Sequence, residues 1–375
     1  MNTVTDAVVI GGGLMGTSIL YNLVSRGVET PVLLERSTLG SGSTGRSSGV
    51  VHLFTDPELP RAKLTQISLN IYRNFEETLG IEDPGFVNTG FLIMVPYSDE
   101  TKVKEHVVRQ QRLGVSTSII SLEEAQILAP DFALREDEVF IWEPDAGYGD
   151  PSGVALAYSR GARDLGATVV LEAEVTDIVI KNNRVTAVVT DTERYDTENA
   201  IVATGPWSGE FLHKLGLNLP LKPTLAEVFV LRIQNNPNGR VPGGSDRSNN
   251  IYFRPEGKDM VLVGGNETPG EISPDAYPQE PAQETVIRNW QALSRRAPSM
   301  EHAEFFKGYT GVYTTTPDRM PVIDKVNGID GLYICTGFSG RGFKLAPAVG
   351  MVVSEMMIDG NVKSADISSM RMDRF

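Results

Sequence analysis

Asp6–Glu35, DAVVIGGGLMGTSILYNLVSRGVETPVLLE, is a strand, a glycine turn, a helix and a second strand in succession. Ala7 to Ile10 is a short apolar run of the kind a parallel strand buries on both faces. It leads into Gly11-Gly12-Gly13-Leu14-Met15-Gly16, a G-x-G-x-x-G pattern. The helix that follows carries Ile19, Leu20, Leu23 and Val24 on one side and stops at Gly27, and the second strand, Pro31 to Leu34, ends in Glu35. Gly11 permits the tight turn, Gly13 lets the backbone approach a pyrophosphate, and Gly16 lets the helix pack on the strand. The free N–H groups of the helix start attract phosphate, and Glu35, 19 residues after Gly16, can accept from a ribose 2′-hydroxyl. A carboxylate there repels a 2′-phosphate, so NADP is disfavoured while FAD and NAD stay open.

Length and composition set the surroundings of this unit. A chain of 375 residues is expected to form about two domains, and 41% hydrophobic with 22% charged residues is ordinary for a globular protein. The net charge of −14 and pI near 4.9 argue against nucleic acid and anionic membrane as partners. With Cys335 the single cysteine, no intrachain disulfide can form, and a cytoplasmic location is expected. No basic segment precedes the first apolar run, which three glycines break, so it does not read as a signal peptide. No apolar stretch reaches the roughly 18 residues of a spanning helix, and no metal site is assigned.

Beyond Glu35, Ser37 to Gly49 is almost entirely Ser, Thr and Gly, suited to wrap a second phosphate or a ring edge. Val50 to Phe54 follows, with His52 in its middle. A helix is expected from Pro57, carried by Leu64, Ile67, Ile71, Phe75 and Leu79 and ended by Gly80. Phe86 to Val95 reads as strand, Asp99 to Leu113 as a polar helix, and Ser121 as a helix start closed by Ala129-Pro130. Asp150-Pro151 is an N-cap and first-turn pair for a helix to Leu165. Ala167 to Val175 reads as a strand of the nucleotide domain, Val175 to Thr190 as a meander turning at Asn182-Asn183, and Asn199 to Trp207 as a buried strand ending in a glycine turn. Glu227 to Ile233, Asn250 to Arg254 and Met260 to Gly265 are β-like runs before a helix around Glu284 to Arg296. Gly331 to Thr336 is then a strand, Gly337 to Phe343 a glycine loop, and Lys344 to Met357 a helix. The expected fold class is α/β: a Rossmann-like FAD-binding domain from residues 1–82, 149–220 and 308–375, with a discontinuous α+β substrate domain on a mixed or antiparallel sheet from 83–148 and 221–307. The terminal glycine loop adds a second positive helix start from the far end of the chain. Such an end suits a flavin, which accumulates negative charge on reduction, and NAD has no need of it; this favours FAD.

These residues resemble the D-amino-acid-oxidase-like flavoproteins, and within them the sarcosine oxidase and dye-linked proline dehydrogenase β-subunit branch. The resemblance spans essentially the whole chain. Its marks are GGGLMG with Glu35, the loop GSGSTGRSSG, the ATGPW turn, YTTTPDRMPVID from Tyr313 to Asp324 and, most specific, TGFSGRGFKLAPAVG from Thr336 to Gly350. It implies FAD contacts at Gly11, Gly13, Leu14, Met15, Gly16, Glu35 and Arg36, then at Ser43, Thr44, Arg46, Ser47, Val175, Thr204, Gly205 and Trp207. Further contacts are implied at Gly311, Gly337, Ser339, Gly340, Arg341, Gly342, Phe343 and Lys344. It also implies that Lys344 binds the substrate carboxylate and that Tyr313 lines the substrate pocket, with Tyr252 on the opposing sheet. His52 stands where the family usually has a second carboxylate-binding arginine, and no arginine stands at Thr314 or Thr315, which favours the sarcosine–proline branch. A histidine can donate to a carboxylate, but carries full charge only below about pH 6.5. Arg254 and Arg319 are the remaining candidates for an anion contact, and both read first as surface salt bridges.

The cysteine through which sarcosine oxidases attach FAD is replaced by Gly311, and the histidine used by dimethylglycine dehydrogenases by Arg46, so FAD is expected to bind non-covalently. Leu262 occupies the place of the lysine that assists reaction with oxygen, which favours a dehydrogenase passing electrons to a dye, a quinone or a partner flavoprotein subunit. Cys335 reads as a small buried apolar residue. The expected reaction is oxidation of the C–N bond of a small amino or imino acid of the sarcosine, proline or glycine type, by hydride transfer to flavin N5. A 2-hydroxy-acid dehydrogenase on the same scaffold, and a flavoprotein subunit with no substrate of its own, are the alternatives.

Overall fold

The computed structural model describes residues 2–54, 59–233, 241–265 and 270–375. The opening motif becomes the centre of a six-stranded sheet. Thr168–Val170, Pro31–Leu34, Ala7–Ile10, Ala200–Val202 and Leu332–Thr336 run parallel in that order, and Val322–Lys325 closes the edge antiparallel. Alternation along these strands explains why they read as unbroken apolar runs. Ala7, Val9, Leu33, Ile201 and Cys335 point to one side, against the helices Leu14–Ser25, Pro151–Asp164 and Gly342–Ile358. Val8, Ile10, Val32, Ala200 and Ile334 point to the other. There a small sheet of Asn2–Val4, Arg194–Asp196, Arg184–Thr190 and Val175–Lys181 covers them, contributing Ile178, Val185, Val188 and Tyr195. Its hairpin turns at Asn182 and Asn183, both at positive φ, as the asparagine pair predicts.

The second large sheet has eight strands. In order they are Glu304–Thr315, Lys222–Arg232, Met260–Gly265, Ile251–Glu256, Gly243–Asp246, Phe91–Pro96, Glu138–Glu143 and Ser118–Ile120. All neighbours are antiparallel except Gly243–Asp246 beside Phe91–Pro96. One face packs on the helices Gln283–Arg296 and Leu122–Leu128 through Phe229, Phe253, Val261, Val263 and Leu293. On the other, the helix Glu100–Arg112 covers Phe91, Ile93 and Ile141 through Val103 and Val107, and Val228, Val230 and Leu262 gather with Tyr252 and Tyr309. A small sheet of Val50–Val51, Gly147–Tyr148 and Val87–Asn88 ties the segments around His52 to this region.

The fold class is as expected, and several boundaries shift for local reasons. The helix expected from Pro57 to Leu79 is two helices, Leu59–Arg73 and Phe75–Leu79, broken at Asn74; Pro57 itself lies outside the described residues. The strand Phe86 to Val95 is interrupted at Gly90, whose φ is +65° and where an added Cβ would overlap the Trp142 ring. The strand Ala167 to Val175 shrinks to Thr168–Val170. The boundary at residue 308 falls inside the strand Glu304–Thr315, which pairs along its length with Lys222–Arg232, so Gly311 and Tyr313 belong to the large sheet. The Asp150 cap is present, with its carboxylate accepting from the Ser152 N–H, as is the Ser121–Glu124 capping box.

Candidate functional site

The glycine turn is a close-packed object. Gly11 has φ +111°, and a Cβ there would meet the carbonyl oxygen of Ala203 at 2.5 Å; one at Gly16 would overlap the carbonyl oxygen of Gly11. The helix Leu14–Ser25 begins from Gly13 without a side-chain cap of its own. The Leu14 N–H donates to Thr44 Oγ1 at 3.0 Å, so the Ser/Thr/Gly loop folds back onto the helix start. Glu35 is fixed by the backbone: its Oε2 accepts from the Gly12 N–H at 2.6 Å and its Oε1 from the Ser37 N–H at 2.8 Å.

These groups open onto a cavity of about 560 Å³. Gly11, Gly13, Leu14 and Met15 line it from the first helix start, and Ser339, Gly340, Gly342 and Phe343 from the last. A Cβ placed at Gly342 would lie 3.4 Å from Met15 Cε, so residues from opposite ends of the chain adjoin. Glu35, Arg36, Ser43, Thr44, Arg46, Ser47, Val175, Thr204, Gly205, Trp207, Gly311 and Tyr313 complete the predicted part of the wall. Size, two helix starts and a fixed carboxylate at one end fit a dinucleotide.

Other predicted contacts do not line this cavity. Gly16 lies under the turn, and Gly337, at φ +74°, packs against Thr316. Arg341 is the N-cap residue of Gly342–Ile358, with Nη1 donating to the Ser339 carbonyl at 3.4 Å. Lys344, His52 and Tyr252 are not among the residues that line it. Conversely, the sequence reading missed Pro274, Asp275, Tyr277 and Gln279, which border the cavity. Asp275 Oδ1 accepts from Trp207 Nε1 at 2.7 Å and from Arg36 Nη2 at 3.3 Å, while the Arg36 guanidinium lies 4.0 Å over the Trp207 ring. Arg46 Nη2 donates to Gln279 Oε1 at 2.7 Å and its Nη1 to the Thr310 carbonyl at 3.0 Å. Residues 274–279 thus form a strap across the cavity, a long-range arrangement for which a Pro/Asp/Tyr loop carries no local signal.

Lys344 is 4% exposed, and its Nζ donates to the His52 carbonyl at 3.0 Å. The His52 ring stacks on Phe91, with centroids 4.3 Å apart. Tyr252 is hydrogen-bonded to Ser48 and Tyr313. Burial pushes the Tyr252 and Tyr313 hydroxyls up, Tyr313 well up, and Tyr309 up to about 12, so all three stay neutral donors near neutral pH.

Arg254 is a correction. Expected as a surface salt bridge, it is 6% exposed, with Nε donating to the Ser48 carbonyl at 2.5 Å and Nη1 paired with Glu256 Oε2 at 2.7 Å. Tyr252, Arg254 and Glu256 share one strand face, and that face looks inward while Phe253 packs on the helix side. Arg319 is exposed, at φ +58°, with its carbonyl accepting from Arg61 Nη1. Leu262 is buried directly opposite Arg254 in the strand register. A Cβ at Gly311 would lie 3.1 Å from Arg46 Cβ, so these two positions are neighbours. Cys335 is buried, and burial pushes its thiol up, which makes it inert. Among the described residues no helix is long and apolar enough to cross a membrane, and no group of three or more His, Cys, Asp or Glu could hold a metal.

Known proteins share this architecture. The solved structure of L-proline dehydrogenase from P. horikoshii superposes with a TM-score of 0.92 at 26% identity, covering 100% of this chain and 98% of that one. Human mitochondrial dimethylglycine dehydrogenase is 25% identical over 380 residues, 95% of this chain and 42% of that protein. The mouse mitochondrial pyruvate dehydrogenase phosphatase regulatory subunit is 25% identical over 382 residues, 99% of this chain and 43% of that protein. The chain therefore spans about two fifths of the length of these two curated relatives. Residues 6–356 match the family described as FAD dependent oxidoreductase, and with the FAD-sized cavity between its two glycine-lined helix starts the chain belongs to that family, DAO.

Proposed function

We propose that the chain oxidises the C–N bond of a small secondary or primary amino acid of the sarcosine, proline or glycine type. The observation that carries this reading is that two cavity-lining residues adjoin buried polar groups: Lys344, which follows Phe343, is buried with its Nζ donating to the His52 carbonyl, and Tyr252 interacts with Tyr313. When bound, FAD supplies the acceptor for the hydride. The chain's own part is to orient the substrate and keep its reacting carbon dry. Lys344, assisted by His52, holds the carboxylate, and the Tyr252 and Tyr313 hydroxyls donate without ionising. The amine enters neutral, and the imine product is hydrolysed in solution.

Residues of the nucleotide sheet bind the cofactor and those of the eight-stranded sheet face the substrate. Gly311 and Arg46 offer no nucleophile, so the flavin is held without a covalent bond. Leu262 places no cation over it, which favours a dye, a quinone or a partner flavoprotein subunit over oxygen as electron acceptor. The lone cysteine suits a cytoplasmic protein.

An anaerobic screen of flavin bleaching over sarcosine, L-proline and glycine, with 2-hydroxy acids beside them, tests the assignment. Bleaching by an amino acid is expected, with Lys344→Ala weakening that response while flavin stays bound. Bleaching only by hydroxy acids would transfer the scaffold to that chemistry. No bleaching by either would favour the second reading, a flavoprotein subunit without its own substrate, which the similarity to a regulatory subunit supports.

A further inference from the structure

The strap at residues 274–279 lies between the strand Met260–Gly265 and the helix Gln283–Arg296, and both its bases are fixed to the large sheet. At one base the Ile272 N–H donates to the Pro223 carbonyl at 2.9 Å. At the other the Thr310 N–H donates to the Gln279 carbonyl at 3.3 Å, Thr310 Oγ1 donates to the Pro278 carbonyl, and the Ala282 N–H donates to Glu227 Oε1 at 2.6 Å. Between the bases the Ala276 N–H donates to the Ser273 carbonyl at 3.3 Å, closing a turn whose central residues are Pro274 and Asp275. From that turn the Asp275 carboxylate crosses to the nucleotide side, where one oxygen accepts from both Trp207 Nε1 and Arg36 Nη2. Arg36 follows Glu35, the carboxylate suited to a ribose, so the crossing stands over the ribose end of the cavity.

The two kinds of attachment part with different ease. Bonds to the strands Lys222–Arg232 and Glu304–Thr315 belong to a sheet that opens as a unit. The Asp275 and Arg36 side chains are 57% and 39% exposed, so water takes their place at little cost. The strap therefore has firm ends and a releasable middle, and a dinucleotide lying beneath it passes only when the middle lifts. We propose that residues 274–279 are a latch that sets the rate of FAD exchange, with Asp275 as its clasp on Arg36 and Trp207. Every bond of the clasp joins protein groups. It therefore restrains entry and release alike, and a restraint without preference for the loaded or the empty state leaves the affinity nearly unchanged. The inference needs FAD and no particular substrate, so it stands apart from the amino-acid reading.

The test compares the unaltered chain with Asp275→Ala and Asp275→Asn. Protein loaded with radiolabelled FAD and chased with excess unlabelled FAD gives the release rate, and quenching of flavin fluorescence by the flavin-stripped protein gives the uptake rate. In Asp275→Ala, which loses a hydrogen bond to a charged group and an exposed ion pair, both rates should rise about tenfold while their ratio, the dissociation constant, stays within about twofold. Asp275→Asn keeps an acceptor for the indole N–H and should speed both rates by less; it also carries the test if the alanine variant does not fold. Unchanged rates in the variants would overturn the proposal. So would faster release with uptake unchanged, because the affinity would then fall in proportion and Asp275 would be a support of the FAD site and not a clasp. Loss of the fold in both variants would overturn it as well, by making the contact part of the framework.

Discussion

A methyl group at Gly16 would overlap the carbonyl of Gly11, and one at Gly11 would press on Ala203, so the first helix can approach its turn only through glycines. Such constraints are local in sequence and backbone-borne, which is why Gly11, Gly13, Gly16 and Glu35 could be read from the sequence alone. Arg254 could not. Whether an arginine on a strand is inside or outside depends on which face the sheet turns inward, and that is set by the helix Gln283–Arg296 packing on Phe253. Lys344 raised the opposite difficulty, since its motif marked it but only the fold shows its ammonium enclosed beside His52. The tyrosines give a prediction at this scale. Burial holds Tyr252, Tyr309 and Tyr313 protonated in the folded chain beyond the pH near 10 at which an unfolded chain's tyrosines ionise. The folded state then binds more protons than the unfolded one, so stability is full below about pH 10 and falls as pH rises above it. Urea unfolding midpoints measured from pH 8 to 11 should decline above 10, and replacing Tyr309 with Phe should soften the decline. A flat profile in the unaltered protein would contradict the burial of these hydroxyls.

Among the elements, helices with caps were the most legible: Asp150 and Ser121 mark their starts by side-chain chemistry that needs no tertiary partner. The strap at residues 274–279 was invisible because its partners Arg36, Arg46 and Trp207 are distant in sequence. The helix Gln283–Arg296 is anchored by a similar long-range device. Arg296 donates from Nη1 to Glu138 Oε2 at 2.9 Å and from Nε to Asp246 Oδ2 at 2.7 Å, and all three side chains are buried. Removing one member leaves buried charge without compensation, which costs about 3–5 kcal/mol. Arg296→Met should therefore lower stability by that amount in denaturant titrations, whereas triple replacement of Arg296, Glu138 and Asp246 by apolar residues should recover much of it. A loss under about 1 kcal/mol for the single variant would show that water reaches the triad.

For the whole molecule, the alternation of short apolar strands with helices was enough to place a doubly covered parallel sheet, and the composition change after Thr224 enough to place a second one. The strand Glu304–Thr315 was harder, because it carries cavity residues such as Gly311 and Tyr313 while pairing in the large sheet, so chemistry and architecture divide the chain at different residues. What unites the molecule is that Gly13 and Gly342, at opposite ends of the sequence, border the same cavity. Acid precipitation of the purified chain, followed by flavin determination in supernatant and pellet, tests this most directly. The account predicts one FAD per chain, all of it released into the supernatant. Absence of flavin, or flavin retained in the precipitated protein, would contradict it.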